Sequence, residues 1–430
     1  MSKKLNPQRL TLNAIKDHLS DELLFLITCC QTELSVEDKE FIHSYLNTSL
    51  QSADSCSSLN AERLTLNALI SLANQHGILS LVYKTIKNLS PHTEEPSNSP
   101  CSSLNIERLT LNPEILTELK AHYMSISQRN MLMSAELIHI MNLFKENQIQ
   151  ALAFKGPTLA STAYKDITLR QFADLDILIK PKDLLIASQL LVENGFTPRV
   201  TLEYLTNKDF LDCNHDISFY KNITVELHWR LFEKQLLVQF DPKLIWTEKE
   251  TVTIQNQDIQ IPGITNLLIY LCIHGSKHAW ERLEWIVDID RLIRTNPNLN
   301  FQMLFERSML LDAEHLVLLG IDLSHKLFDT PLPESILKEI ENNQKVHELR
   351  KIIFSYLKEN ILGDIGGKAY YRKLTYFRMQ IQKNLWRKVK YFYRNTIQIN
   401  SSDIEESTPE KHSILHYYIK RLIRLIRIYT

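Results

Sequence analysis

Leu152-Ala153-Phe154-Lys155-Gly156-Pro157-Thr158-Leu159-Ala160 leads through Arg170 to Phe172-Ala173-Asp174-Leu175-Asp176-Ile177-Leu178-Ile179, and these residues carry the fold. Ala151 to Phe154 is short and wholly apolar, the pattern of a buried strand. Lys155-Gly156 breaks it with a turn, and Pro157 suits the first position of a helix, where its missing N–H costs nothing. Such a strand, turn and helix aim backbone N–H groups and a lysine at a phosphate. Gly156 is the sole glycine between residues 78 and 194, as a sharp turn at one chosen place requires.

Phe172 to Ile179 reads as a second strand. With a period of two, Leu175, Ile177 and Ile179 face one side while Asp174 and Asp176 share the other. Two adjacent carboxylates repel unless a cation lies between them, so the pair is a candidate site for Mg²⁺, with Mn²⁺ as second choice. Further on, Asp216 to Tyr220 and Ile223 to Trp229 form a hairpin across Lys221-Asn222. Val225, Leu227 and Trp229 share one face of its second strand, which leaves Glu226 beside His228 on the other. Glu226 is thereby a third carboxylate, available as metal ligand or as base for an incoming hydroxyl.

The flanks are helical. Asn67 to Asn88 and Glu114 to Asn147 repeat apolar residues three and four apart with no interior proline, whereas Ile149 to Phe240 is mixed. Helix resumes from Thr265 to Asn360, with stops at Asn296-Pro297-Asn298 and Thr330-Pro331-Leu332-Pro333. Thr265 to Trp280 reads as one helix bearing His274 and His278 on one face, with Lys277 adjacent and Arg282 and Asp288 following. The expected division is a helical region at 1–148, an α/β core at 149–262, a helical lobe at 263–362 and a basic aromatic tail at 363–430. A motif Leu-Asn-x-x-Arg-Leu-Thr-Leu-Asn occurs at 5–13, 59–67 and 104–112 beside Ser/Asn/Pro-rich sequence. It reads as a short element inserted into surface loops.

Only 9 of 430 residues are glycine, and no G-x-G-x-x-G occurs, which excludes the simple dinucleotide fingerprint. Gly363 to Lys368 is one residue short of a phosphate loop, with Ala369 where a metal-binding hydroxyl belongs, and reads as a helix-ending turn. The net charge of −1 hides a tail that carries +10 from Lys368 onward. Within it, 414–429 spaces Lys420, Arg421, Arg424 and Arg427 three or four apart among Leu and Ile. Such a helix either docks its apolar face on the parent domain or lies peripherally on an anionic membrane. No nucleic-acid-reading module is recognisable. Six cysteines without C-x-x-C fit free thiols in a reducing cytoplasm, and no leader or spanning stretch is evident, so a cytoplasmic protein is expected.

K-G-P-x-L-A at 155–160, Arg170 before D-L-D, V-E-L-H-W at 225–229 and H-G-x-K-H-x-W-x-R-L-x-W at 274–285 together resemble an uncharacterised bacterial branch of the nucleotidyltransferase superfamily. Its better-known relatives include the aminoglycoside nucleotidyltransferases, and the resemblance spans roughly Asp21 to Arg294. It implies an α+β fold, a small mixed sheet flanked by helices, with an all-helical lobe closing over the substrate. It also implies transfer of a nucleotidyl group from an NTP to an acceptor, with release of pyrophosphate. Asp174 and Asp176 match the superfamily's first two carboxylates and Glu226 its third. Lys155-Gly156 takes the place of the usual Gly-Gly or Gly-Ser turn; Pro157 stands where a hydroxyl residue often meets the triphosphate, with Thr158 as its substitute. Lys155, Gly156, Thr158, Arg170, His228, His274, Lys277, His278 and Arg282 would then contact nucleotide or substrate.

Other readings stay open at this level. D-x-D also holds the diphosphate of a nucleotide sugar in glycosyltransferases, and a degenerate transferase could act as a binding or scaffold protein. Arg170 could pair with Asp166 on the surface, and His274 and His278 could bind zinc or pack a helix.

Overall fold

The computed structural model describes residues 19–50, 66–90, 113–239, 242–359 and 367–397, with 419, 421 and 423. The repeat motifs (save Leu66 and Asn67), residues 363–366 and nearly all of 414–429 lie outside the described residues.

The chain begins with α1 (Asp21–Cys29), α2 (Val36–Leu50), α3 (Leu66–Gln75) and α4 (Leu79–Leu89). Ser20 caps α1 by accepting from the Leu23 N–H, and Asp21 and Glu22 complement the helix N-terminus. Every residue from Leu23 to Cys29 is buried, so α1 is a core helix rather than a surface one. The single helix expected over Asn67 to Asn88 is broken at Gly77, whose φ of +72° no regular helix accommodates.

The 34-residue α5 (Pro113–Glu146) leads into β1 (Ala151–Ala153), α6 (Gly156–Leu159) with a π-helical turn to Tyr164, and β2 (Asp174–Ile179). There follow α7 (Leu184–Glu193), β3 (Thr197–Pro198), α8 (Lys208–Cys213), β4 (Asp216–Tyr220), β5 (Thr224–His228) and α9 (Pro242–Thr247). The five-stranded sheet has the order β1-β2-β5-β4-β3. Only β2 and β5 run parallel; the other pairings are antiparallel, which makes the sheet mixed. The fold is α+β, as the family resemblance implies.

The two sheet faces differ sharply. Leu175, Ile177, Val225, Leu227, Ile217 and Phe219 pack beneath Leu137, Ile140 and Phe144 of α5 and Ala187 and Leu191 of α7. The opposite face keeps Asp174, Asp176, Glu226 and His228. β6 (Lys249–Ile254) and β7 (Gln257–Pro262) form a separate hairpin, turned by Gln255 and Asn256 at positive φ.

The remaining helices are α10 (Ile264–Lys277), α11 (Leu283–Thr295), α12 (Phe301–Leu310), α13 (Glu314–Phe328), α14 (Glu334–Glu341), α15 (Gln344–Lys358), α16 (Lys368–Gln380) and α17 (Leu385–Phe392). Those from α10 to α16 share one apolar core with α1 to α4: Phe25, Leu26 and Ile27 belong to the same buried cluster as Leu268, Ile286 and Leu319. Helix α10 stops three residues short of Trp280. Ala279 and Trp280 both take φ of +53°, and the Trp280 N–H returns to the Gly275 carbonyl at 2.9 Å. The fully buried indole lies between Gly275 and Gly320, so a side chain at either would collide with the ring. Close packing therefore accounts for Gly275. No described helix is long and apolar enough to cross a membrane.

Five described histidines are held as neutral rings, His215 among them, lowered to about 4 by burial. His76 is depressed to about 3, by burial and then by Arg282, and its Nδ1 accepts from the Leu283 N–H. His315 is lowered to about 4 by burial, and His274 and His278 lie well below the usual range for the same reason. These rings titrate near 6.5 once unfolded, so below that pH the unfolded chain binds protons that the folded one refuses. Their contribution is complete above pH 6.5 and is lost as the pH falls toward 4. Each adds up to about 1.4 kcal/mol per pH unit to the slope. Urea midpoints measured from pH 7 to 5 should fall steeply, and a flat profile would contradict the neutral rings.

Candidate active site

Lys155, two residues beyond β1, is extended and takes the N-cap position of α6. Gly156 follows at φ +54°, where a Cβ would stand 3.1 Å from the Asp174 carbonyl oxygen. Gly156→Ala is therefore expected to cost about 1–2 kcal/mol from backbone strain alone, and to push the Lys155 turn away from β2. Denaturant unfolding alongside a turnover assay checks both effects.

The parallel register sets Asp176 directly opposite Glu226, and the hairpin sets Ser218 beyond it. Directly opposed residues share a face, which brings the carboxylates of two strands together. The Lys155 ammonium lies 2.9 Å from Asp176 Oδ1. His228 Nε2 lies 3.2 Å from the same oxygen and 3.5 Å from Glu226 Oε2. Both Asp176 oxygens are buried without an aligned hydrogen-bond donor, and so are both His228 ring nitrogens.

The electrostatics follow from that crowding. Asp174 is raised by burial and then by the Asp176 charge. Burial would raise Asp176 too, but Lys155 and then His228 outweigh it and hold this carboxyl well below the usual range. Glu226, also penalised by burial, is lowered by its contact with His228. His228 resists burial through Asp176 and Glu226 and reaches about 9, so it is an imidazolium at neutral pH. Two internal cations thus sit among three carboxylates.

This donor set suits a divalent ion. Asp176, Glu226 and His228 place ligand atoms within 4.8 Å of one another, and so do His215, Asp216 and His228, although His228 could coordinate only after giving up its ring proton. Neither group includes His274 or His278. Asp174 stands two residues along the strand from Asp176 on the same face. Unsatisfied buried carboxylate oxygens are what a hard cation takes as ligands.

The remaining expected residues are placed as follows. Thr158 is not brought to the cluster, because its buried hydroxyl donates to the Lys155 carbonyl at 2.8 Å. Arg170 pairs with Asp288 rather than Asp166, donating from Nε at 2.8 Å and from Nη2 at 2.9 Å. Asp166 instead meets Lys84 and Thr168. Lys277 is paired with Glu233 at 2.5 Å and Arg282 with Glu284 at 3.1 Å. His274 and His278 pack against one another and against Trp285 in tilted and edge-on contacts, at ring separations of 4.9 to 5.4 Å.

Sequence reasoning passed over Tyr270, His215, Asp216 and Glu233. Phe154 packs edge-on against both His228 and Tyr270, each at 5.0 Å, which ties α10 to the carboxylate face. Asp216 pairs across the hairpin with His228; a two-residue turn at Lys221-Asn222 would have set it opposite Leu227, but the loop takes in Ile223 as well and shifts the register by one. A cavity of about 260 Å³ opens on this side, lined by His215, Asp216 and Ser218 together with Glu233, Arg378 and Tyr391.

No curated protein matches the chain. A family model described as "Uncharacterised nucleotidyltransferase" matches residues 63–329, more than half of the chain and all of the sheet. With that match laid over a mixed sheet whose carboxylates gather on one face, the chain belongs to this uncharacterised nucleotidyltransferase family.

Proposed function

We propose that the protein is a metal-dependent nucleotidyltransferase that moves an NMP group from an NTP to an acceptor hydroxyl or phosphate, releasing pyrophosphate. One observation carries this reading: Asp176 and Glu226 face each other across parallel strands, beside Asp174, with Asp176 Oδ2 buried and given no hydrogen-bond partner. Asp174, Asp176 and Glu226 would hold Mg²⁺ or Mn²⁺, which when bound neutralises the triphosphate and polarises the α-phosphorus for in-line attack. The protein's own side chains act around that centre. The Lys155 ammonium, ion-paired with Asp176, would meet a phosphate oxygen of the bound triphosphate. His228 holds Asp176 and Glu226 in register, and Glu226 either completes the ligand set or takes the acceptor's proton. We assign the neighbouring polar cavity to the acceptor.

Incubation with α-labelled NTPs and cell extract, followed by identification of the labelled product, tests the reading. Thermal stabilisation by an NTP with Mg²⁺, but not by a nucleotide sugar, separates it from glycosyl transfer. One observation favours a binding-only protein: Lys155 and His228 already neutralise Asp176 without any ion. NTP binding indifferent to Mg²⁺, without pyrophosphate release, would support that second reading.

A further inference from the structure

Helix α17 turns its apolar side away from the protein. Leu385 and Trp386 are 76% and 75% exposed, and Val389, Phe392 and Tyr393 about half exposed, at 50%, 51% and 50%. At 100° per residue these five side chains span an arc of about 120°. Lys388 flanks the arc on one side and Lys390 on the other. The opposite side is fastened down. Tyr391 is buried, Arg387 is ion-paired with Asp312 and donates to the Leu237 carbonyl at 2.7 Å, and Arg394 donates to the Lys234 carbonyl at 2.6 Å. Asn384 caps the helix by accepting from the Arg387 N–H. The apolar arc is thus held outward by contacts on the other face, at the cost of leaving an indole and a leucine in water.

We infer that α17 is a docking surface for an anionic lipid bilayer. The argument for that occupant is charge complementarity. The chain from Lys368 onward carries +10, and lysines border the arc on both sides. A protein partner would favour a core depleted of lysine. Trp, Tyr and Phe beside lysines instead suit the headgroup boundary, where the rings enter the acyl edge and the ammonium groups reach lipid phosphates. A helix of eight residues, about 12 Å long, lies in that plane and does not cross it. Tyr391, on the inner side of the same helix, lines the cavity beside the carboxylate face, so a docked bilayer would adjoin that cavity.

The test is co-sedimentation of the full chain with phosphatidylcholine vesicles, with and without phosphatidylglycerol, at low and high salt. Binding at least about tenfold stronger to the anionic vesicles, weakened by salt and lost in Leu385→Ser/Trp386→Ser, is the expected result. Both side chains are three-quarters exposed, so the variant should keep the parent's unfolding midpoint. Equal binding by parent and variant, or none to anionic vesicles at low salt, would overturn the proposal. So would a dimer in solution that the double variant dissociates, because the arc would then belong to a second copy.

Discussion

Asp176→Asn should abolish nucleotidyl transfer, lowering it by at least about a thousandfold, or about 4 kcal/mol of transition-state stabilisation. The substitution keeps the size and shape of the side chain and removes only its charge. Asp176 is the centre of the cluster: it faces Glu226 across the parallel strands, receives Lys155 at 2.9 Å and lies 3.2 Å from His228. Loss of that charge leaves Lys155 without its nearest counter-ion and removes a ligand from the set that would hold the metal. Release of pyrophosphate from labelled NTP, measured beside the unfolding midpoint, gives the answer. Undiminished turnover in a folded variant would refute the assignment of the site. Loss of turnover with an unchanged midpoint would support it.

The second large effect is on stability. Asp288→Ala should cost about 3–5 kcal/mol, since it strands the guanidinium of Arg170, only 5% exposed, without a counter-charge. Asp288 receives both Arg170 bonds, and the Tyr164 hydroxyl donates to it at 2.8 Å. The pair fastens the loop between α6 and β2 to α11, and Asn130 of α5 holds the same loop by donating to the carbonyls of Ile167 and Arg170. Replacing both partners by apolar residues, Arg170→Met with Asp288→Leu, should recover most of the loss, because no charge is then left buried. Denaturant unfolding of the two single variants and the double variant closes the cycle. A double variant as unstable as the sum of the singles would show that the pair does not act as a unit.

Arg170 illustrates how far local sequence reaches. It stands just before D-L-D, where a cation for substrate is a fair expectation, yet its partner is Asp288, 118 residues away. Thr158 is held for a nearer reason: in the first turn of α6 the Lys155 carbonyl is within reach, and the hydroxyl donates to it. Lys277 and Arg282 are likewise occupied by carboxylates, Glu233 and Glu284, whose proximity depends on how α10 and its flanking loops pack.

The carboxylate face was legible because backbone geometry alone sets it. A strand repeats every two residues, so Asp174 and Asp176 must share a side, and the same period puts Glu226 with His228. Gly156 was legible for the same kind of reason, since a positive φ beside a close carbonyl admits little else. Periodicity says which side chains travel together, however, and not what they meet. That Lys155 and His228 lie on Asp176, that Trp280 folds back between two glycines, and that α17 turns Trp386 to solvent all depend on contacts between distant segments. Such contacts follow from the joint packing of α1 to α4 with the C-terminal helices, and they leave no signature in any one stretch of chain.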